Sequence, residues 1–365
     1  MSIADRRRGT KLRVGVTLPS RTGPIPNVFE YAKQAEDAGF YSAFDYEVYR
    51  NPFTMLAGAA VRTERIKLGT GLAAGFSRSP FEAANAAADV DEMSGGRMIF
   101  GLGTGAPELL KRLHSTNAKK PVGRMSEYID VLRRSWEYLG TGKAEPLEGE
   151  HYWFNPPPLN PWGGRELARP QIPIYLAAMG PAMLDLCGRK ADGWLGYFAT
   201  PKFLEESVKP KIAAGAAKAG RDLSDIDLCV ENICCVHPDR EVAMRRARLQ
   251  VGFYAVHPVS DAVAALHGFQ DAVDDLRARM RREGLAAFAH TDDRIVEALS
   301  ITGTPEEARQ KLAEFEGVID HVVLHCPYVP PFSAEESADC FSNIIDAFRD
   351  VATSGSGLPQ SAVAH

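Results

Sequence analysis

Apolar and polar positions along the chain alternate between short apolar runs of strand length and longer stretches with helical spacing. Leu12 to Leu18 reads as a first strand that stops at Pro19. A helix is predicted from Asn27, with Asn27 as its cap, Glu30 at the capping-box position and Gly39 at its end. Ser42 to Tyr46 is a second strand, Pro52 and Met55 to Val61 restart a helix, and Ile66 to Gly71 is a third strand. Ser79-Pro80-Phe81-Glu82 has the form of a helix start: serine cap, proline at the first position, glutamate three residues after the cap. Met98 to Leu102 is a fourth strand, and a helix is predicted from about Arg124 to Leu139. Ile172 to Ala177, Gly193 to Tyr197, Ile226 to Val236 and His321 to His325 supply four more strands. Between them helices begin near Pro181, Pro201 and Pro305, the last with Thr304 and Glu307 as a capping box. Strands alternating with helices imply an α/β fold with a parallel sheet, and eight such units imply a closed TIM-like (β/α)8 barrel.

Two stretches interrupt this rhythm. Residues 140–170 are rich in Gly, Pro and Trp and read as an ordered insertion between the fourth and fifth strands; residues 238–300 are helical and charged and are expected to cover one mouth of the barrel. The organisation expected is one barrel domain over residues 11–350, with flexible tails at 1–10 and 353–365.

Length does not change this picture, because α/β barrels reach 365 residues as one domain. A net charge of −5 argues against nucleic acid as the partner and leaves a small molecule. The sequence carries no apolar run long enough to span a bilayer and no signal-type start, so a cytoplasmic protein is expected, with no membrane role. Cys187, Cys229, Cys234, Cys235, Cys326 and Cys340 show no CxxC and no zinc spacing with histidine; they are expected to be reduced and buried, and no metal is indicated.

The chemistry is concentrated where strands end in glycine. Gly180-Pro181 follows a strand and opens a helix, so it is either a phosphate cradle at a helix N-terminus or a plain strand-to-helix junction. Gly101 to Gly105 reads GLGTG, which lacks the third glycine of a dinucleotide fingerprint and the acidic residue for the ribose; a Rossmann reading is set aside.

Together, these pieces resemble the bacterial-luciferase-like family of flavin- and deazaflavin-dependent oxidoreductases over nearly the full length. The matching residues are Ala35-Glu36-Asp37-Ala38-Gly39-Phe40, Leu68-Gly69-Thr70-Gly71-Leu72, Ser94-Gly95-Gly96-Arg97 leading into Gly101-Leu102-Gly103-Thr104-Gly105, Arg124 with Glu127, Ala177-Ala178-Met179-Gly180-Pro181, Ala191-Asp192-Gly193 and Gly303-Thr304-Pro305-Glu306-Glu307. The resemblance implies a TIM-like barrel with insertions, a cofactor phosphate held at Gly180-Pro181 with help from Arg124, and a non-prolyl cis peptide at Gly71–Leu72 against the cofactor ring. It places Thr70, Gly71, Leu72, Gly103, Thr104, Arg124, Ala177, Ala178, Met179, Gly180 and Pro181 in the cofactor site.

One departure from the family bears on mechanism. Many relatives carry an acid followed by His after the second strand; here Glu47 keeps the acid and Val48 stands in place of the His. The carboxylate that the sugar-phosphate dehydrogenase branch places after its GTG is Ala106 here, with Glu108 two residues on, so that branch's catalytic set and substrate do not carry over. The acid/base candidates are then Glu47, Glu108, His114 and His325, each after a strand or at its C-terminal end, the catalytic face of a barrel. His321, four residues before His325, is expected near the opposite face. Arg78 either faces substrate or pairs with Glu82.

The resemblance implies an oxidoreductase that passes hydride between the deazaflavin coenzyme F-420 and a small organic substrate. Trp153, Phe154, Trp162, Phe253 and Tyr254 point to an apolar one, or else simply to packing. The alternatives are a monooxygenase using reduced FMN and dioxygen with a separate cofactor reductase, and a cofactor-binding protein without catalysis. A homodimer is expected, with the small residues Ala83 to Ala88 giving room for close packing.

Overall fold

The computed structural model describes residues 11–355 apart from 22, 49, 158 and 159. The strands in chain order are β1 (Arg13–Thr17), β2 (Ser42–Asp45), β3 (Lys67–Thr70), β4 (Ala73–Ala74), β5 (Met98–Gly103), β6 (Leu147–Glu148), β7 (Trp153–Phe154), β8 (Ile174–Ala177), β9 (Gly193–Tyr197), β10 (Asp227–Val236), β11 (Ser300–Gly303) and β12 (His321–His325). Eight of them close a parallel barrel in the order β1, β2, β3, β5, β8, β9, β10, β12 and back to β1. These are the eight strands read from the sequence, displaced by two residues at most at either end. The two-residue β4 pairs with the end of β5, and β6 and β7 form a separate antiparallel hairpin.

The main helices are α1 (Ile25–Asp37), α2 (Pro52–Ala60), α3 (Pro80–Met93), α4 (Pro107–Leu113), α5 (Pro121–Thr141), α6 (Pro181–Lys190), α7 (Lys209–Lys218), α8 (Arg240–Ala255), α9 (Asp261–His267), α10 (Gln270–Glu283), α11 (Asp293–Leu299), α12 (Pro305–Ala313) and α13 (Ala334–Gly355). None is long and apolar enough to cross a membrane among the described residues.

Inside the barrel, a bulky or polar side chain on one strand stands over a glycine on its neighbour. A Cβ added at Gly69 would sit 1.6 Å from the Phe44 ring, one at Gly193 2.5 Å from Tyr175, and one at Gly15 2.0 Å from the Ser42 hydroxyl. Phe44, Ile99, Tyr175, Leu195, Cys229 and Val323 thereby form an inner core separate from the larger one between barrel and helices. At the N-terminal end His321 is buried and bonds to Ser42 at 2.8 Å, opposite the mouth as expected; burial lowers its pKa to about 3.

Polar ties lock the outer layer. The buried Glu36 carboxylate of α1 accepts the backbone N–H groups of Glu64, Arg65 and Ile66. Arg97, following Gly95 and Gly96 at φ of 65° and 83°, gives its guanidinium donors to Ser94, Thr63, Ile66 and Ala60 and so closes the end of α2.

Several expectations are corrected. Helix α1 starts at Ile25 behind Pro24 with no side-chain cap, because Pro24 and Pro26 preset the backbone of its first turn; Asn27 and Glu30 make no capping box. Ser79 and Thr304 do cap their helices. Ser300, expected at the end of an insertion, instead opens the strand Ser300–Gly303, which pairs with the outer half of β10. Residues 353–355 continue α13 instead of opening a tail; the tails 1–10 and 356–365 lie outside the described residues. Ala83, Ala84, Ala87 and Ala88 are buried within this chain, where the Trp136 indole of α5 donates to Ala84 O. All six cysteines are free and buried.

Candidate active site

The C-terminal ends of the barrel strands converge on a cavity of about 250 Å³. Its floor is the turn after β3, where the Gly71–Leu72 peptide is cis, as the resemblance implies. The Gly71 N–H donates to Asp45 O at 2.7 Å, which ties the turn to β2. Glu231, in the middle of β10, reaches the cavity over Gly71, where a Cβ would lie 1.7 Å from its Oε1. His325 ends β12, with its Nδ1 3.5 Å from Glu231 Oε2.

Four tyrosines enclose this pair. Tyr46 stacks on Tyr328 at 4.7 Å and lies 5.4 Å from the His325 ring; Tyr197 meets His325 edge-on at 5.3 Å and Tyr254 at 4.4 Å. The Tyr254 and Tyr328 hydroxyls bond to each other. Burial pushes all four hydroxyls up, so they stay protonated donors. The remaining wall is mostly apolar, with Val48, Leu72, Ala177, Met179, Leu195 and Phe198 beside the polar Glu47 and Ser260, and no Lys or Arg lines the cavity among the described residues.

Two carboxyls here are held in low dielectric. Burial raises the pKa of Glu231, with His325 pulling the other way, and Oε1 of Glu231 has no hydrogen-bond partner. Asp45, the last residue of β2, is fully buried with no well-aligned bond to either oxygen; burial pushes it up to about 7, against the pull of Ser20, the Tyr46 backbone and Arg50.

Of the sequence candidates, His325, Glu47, Gly71, Leu72, Ala177 and Met179 line the cavity. Glu47 is bound on both oxygens, to the Arg78 guanidinium at 2.8 Å twice and to the Ala74 N–H at 2.8 Å, so it braces the loop after β3 instead of standing free to move protons. Arg78 accordingly pairs with Glu47 first and with Glu82 at 3.5 Å second. Glu108 on α4, where it pairs with Arg112, and His114 just past the end of that helix are exposed, and neither lines the cavity.

The Thr70 hydroxyl points back to Gly101 O at 2.7 Å, and a Cβ at Gly103 would strike Leu72. Thr104 bonds locally to Gly105 O. Ala178 is buried and its carbonyl accepts the Trp194 indole at 2.7 Å. Gly180 and Pro181 open α6 at the surface, with empty space where a Gly180 side chain would be. Arg124 lies over the Phe76 ring at 4.1 Å and bonds Tyr152 and Asn117 O. Of the insertion aromatics only Tyr254 reaches the cavity; Trp153 and Trp162 are 85% exposed.

The sequence reading missed Glu231, Asp45, Tyr46, Tyr197 and Tyr328. A carboxylate inside the apolar run DLCVENICCV was the available signal for Glu231, since charges are rarely buried without a use.

Residues 10–321 match the family model described as luciferase-like monooxygenase. The chain is 34% identical over 310 residues to the 5,10-methylenetetrahydromethanopterin reductase of Archaeoglobus fulgidus, covering 82% of this chain and 89% of that one. Among solved structures it is similar to the coenzyme F-420-dependent tetrahydromethanopterin reductase of Methanopyrus kandleri, at 26% identity and a TM-score of 0.77, over 93% of this chain and 98% of that one. A likeness in fold alone extends to the oxygenating constituent of an FMN-bound type II Baeyer–Villiger monooxygenase of Pseudomonas putida, at 18% identity and a TM-score of 0.64, over 96% of this chain and all of that one.

Proposed function

The chain belongs to the luciferase-like monooxygenase family and is an enzyme, and on that premise we propose that it transfers hydride between coenzyme F-420 and a small, apolar organic substrate. The observation that carries this reading is the cis Gly71–Leu72 turn beneath one apolar cavity that also holds Glu231 and His325.

The residues present fit such a cofactor. Gly71, Leu72, Ala177 and Met179 offer an apolar surface for a ring, and Gly180 leaves open space at the N-terminus of α6, the end of a helix that favours a phosphate. When bound, the deazaflavin supplies the carbon that accepts or gives hydride. The protein's part is positioning and water exclusion: the tyrosine wall and the apolar residues limit the reacting groups to one orientation. Glu231 and His325 are the groups in the cavity able to hold or move a proton, and they replace Glu47, Glu108 and His114 in that role.

Parallel equilibrium titration with F-420 and FMN, oxidised and reduced, tests the reading. Tight F-420 binding with weak FMN binding supports hydride transfer. Preference for reduced FMN moves the chemistry to oxygenation, and binding of neither removes the cofactor assignment.

A further inference from the structure

Helix α8 lies outside the barrel in residues 238–300, yet its Gln250 is fully buried and aimed at the site. Its Oε1 accepts two backbone N–H groups, of Tyr328 and Val329, at 3.0 Å each. Its Nε2 lies 3.4 Å from the Tyr197 hydroxyl and donates to it. One amide therefore holds two separate pieces of the cavity wall: the end of β9 through Tyr197, and the chain after β12 through Tyr328.

Both of those rings touch His325, Tyr197 edge-on at 5.3 Å and Tyr328 at 5.6 Å. His325 itself has no hydrogen bond on either ring nitrogen, only the 3.5 Å approach of Glu231. The orientation of its imidazole is therefore set by the rings packed around it, and two of those are set by Gln250. A side-chain amide suits the task because it accepts at one end and donates at the other, which neither a hydrocarbon nor a cation does.

We infer that Gln250 is a positioning residue, which orients the His325 imidazole through Tyr197 and the Tyr328 segment and so couples the helical insertion to the site. The inference rests on the reading of His325 as a site residue, but its test is made on the ligand-free protein.

The experiment is NMR of the full-length protein labelled with ¹⁵N-histidine. The His325 signals are assigned by their loss in His325→Asn, and His321, buried at the other end of the barrel, reports on the fold. In Gln250→Leu the His325 signals shift while those of His321 stay in place, and F-420 affinity falls about tenfold, the order of one aromatic pair. In Gln250→Glu, which still accepts both backbone N–H groups, the His325 signals stay nearer the native ones. An unmoved His325 in folded Gln250→Leu overturns the inference. If that variant does not fold, Tyr197→Phe, which removes the hydroxyl that Gln250 holds, carries the test, and an unmoved His325 in it overturns the inference. Failure of the native protein to bind F-420 counts against the proposed cofactor and leaves the NMR outcome standing.

Discussion

A Cβ atom on Gly71 would lie 1.7 Å from Oε1 and 2.8 Å from Cδ of Glu231, so the absent side chain at one position is the space that the other occupies. Glu231 is buried and lines the cavity, so its carboxylate would have to leave its place beside His325 to make room. Gly71→Ala is therefore expected to destabilise the protein by about 1–3 kcal/mol, the usual range for overpacking a filled interior. Adding Glu231→Ala removes the atoms in the way, so the double variant should regain most of the melting temperature. Equal melting temperatures for the single and double variants would disprove this account of the glycine.

The Glu47–Arg78 pair makes a different prediction from a catalytic acid. Both side chains are only 13% exposed and meet through two parallel bonds, with the Ala74 N–H as a third donor. Removing either partner leaves the other charge short of a counter-ion next to the cavity, so Glu47→Gln and Arg78→Gln should each destabilise by a similar amount. Their combination should cost less than the sum, with a coupling energy of about 1–3 kcal/mol in a double-mutant cycle. Additive effects in denaturant melts would show that the pair does not brace the loop.

Asp45 links the site to pH. Burial raises its carboxyl pKa from an ordinary 3.8 to about 7, so the protonated form is favoured in the fold. The contribution to stability is complete below the unfolded pKa and is lost as pH rises toward 7, where a buried negative charge forms. Asp45→Asn keeps the shape without the charge. Its stability relative to the native chain should rise between pH 4 and pH 8, with a ceiling of roughly 4 kcal/mol set by the size of the shift. Parallel stability curves for the two proteins across that range would rule the charge out as the cause.

How much of this was readable beforehand follows from the kind of signal each feature leaves. All eight barrel strands were legible because each carries its apolar run locally. Strand β11 was not, because Ser300 to Gly303 has one large apolar residue and becomes a strand by pairing with β10. Ser79 and Thr304 were legible as caps because the signal is complete within four residues, whereas Asn27 lost its place to a proline-led start. In the site, Gly71 and His325 were found from strand ends. Glu231 was overlooked in favour of Glu108 and His114, which lie nearer the glycine motif in sequence and point away in space. Proximity along the chain is a poor guide in a barrel, where the site is assembled from the ends of separate strands.

Glu231 supplies the most direct test of the proposed proton-holding pair. Its pKa is already raised by burial and drawn down by His325, and a ring entering the cavity would bury it further. Further desolvation disfavours the carboxylate, so cofactor binding should draw a proton onto the protein, and affinity for F-420 should fall as pH rises. Calorimetric titrations in buffers of different ionisation enthalpy count that proton directly. Glu231→Gln, close in shape and unable to ionise, should bind F-420 with the uptake abolished and with an affinity that varies less with pH. If the variant takes up the same fraction of a proton as the native enzyme, the proton resides elsewhere, and His325 and Asp45 become the groups to substitute next.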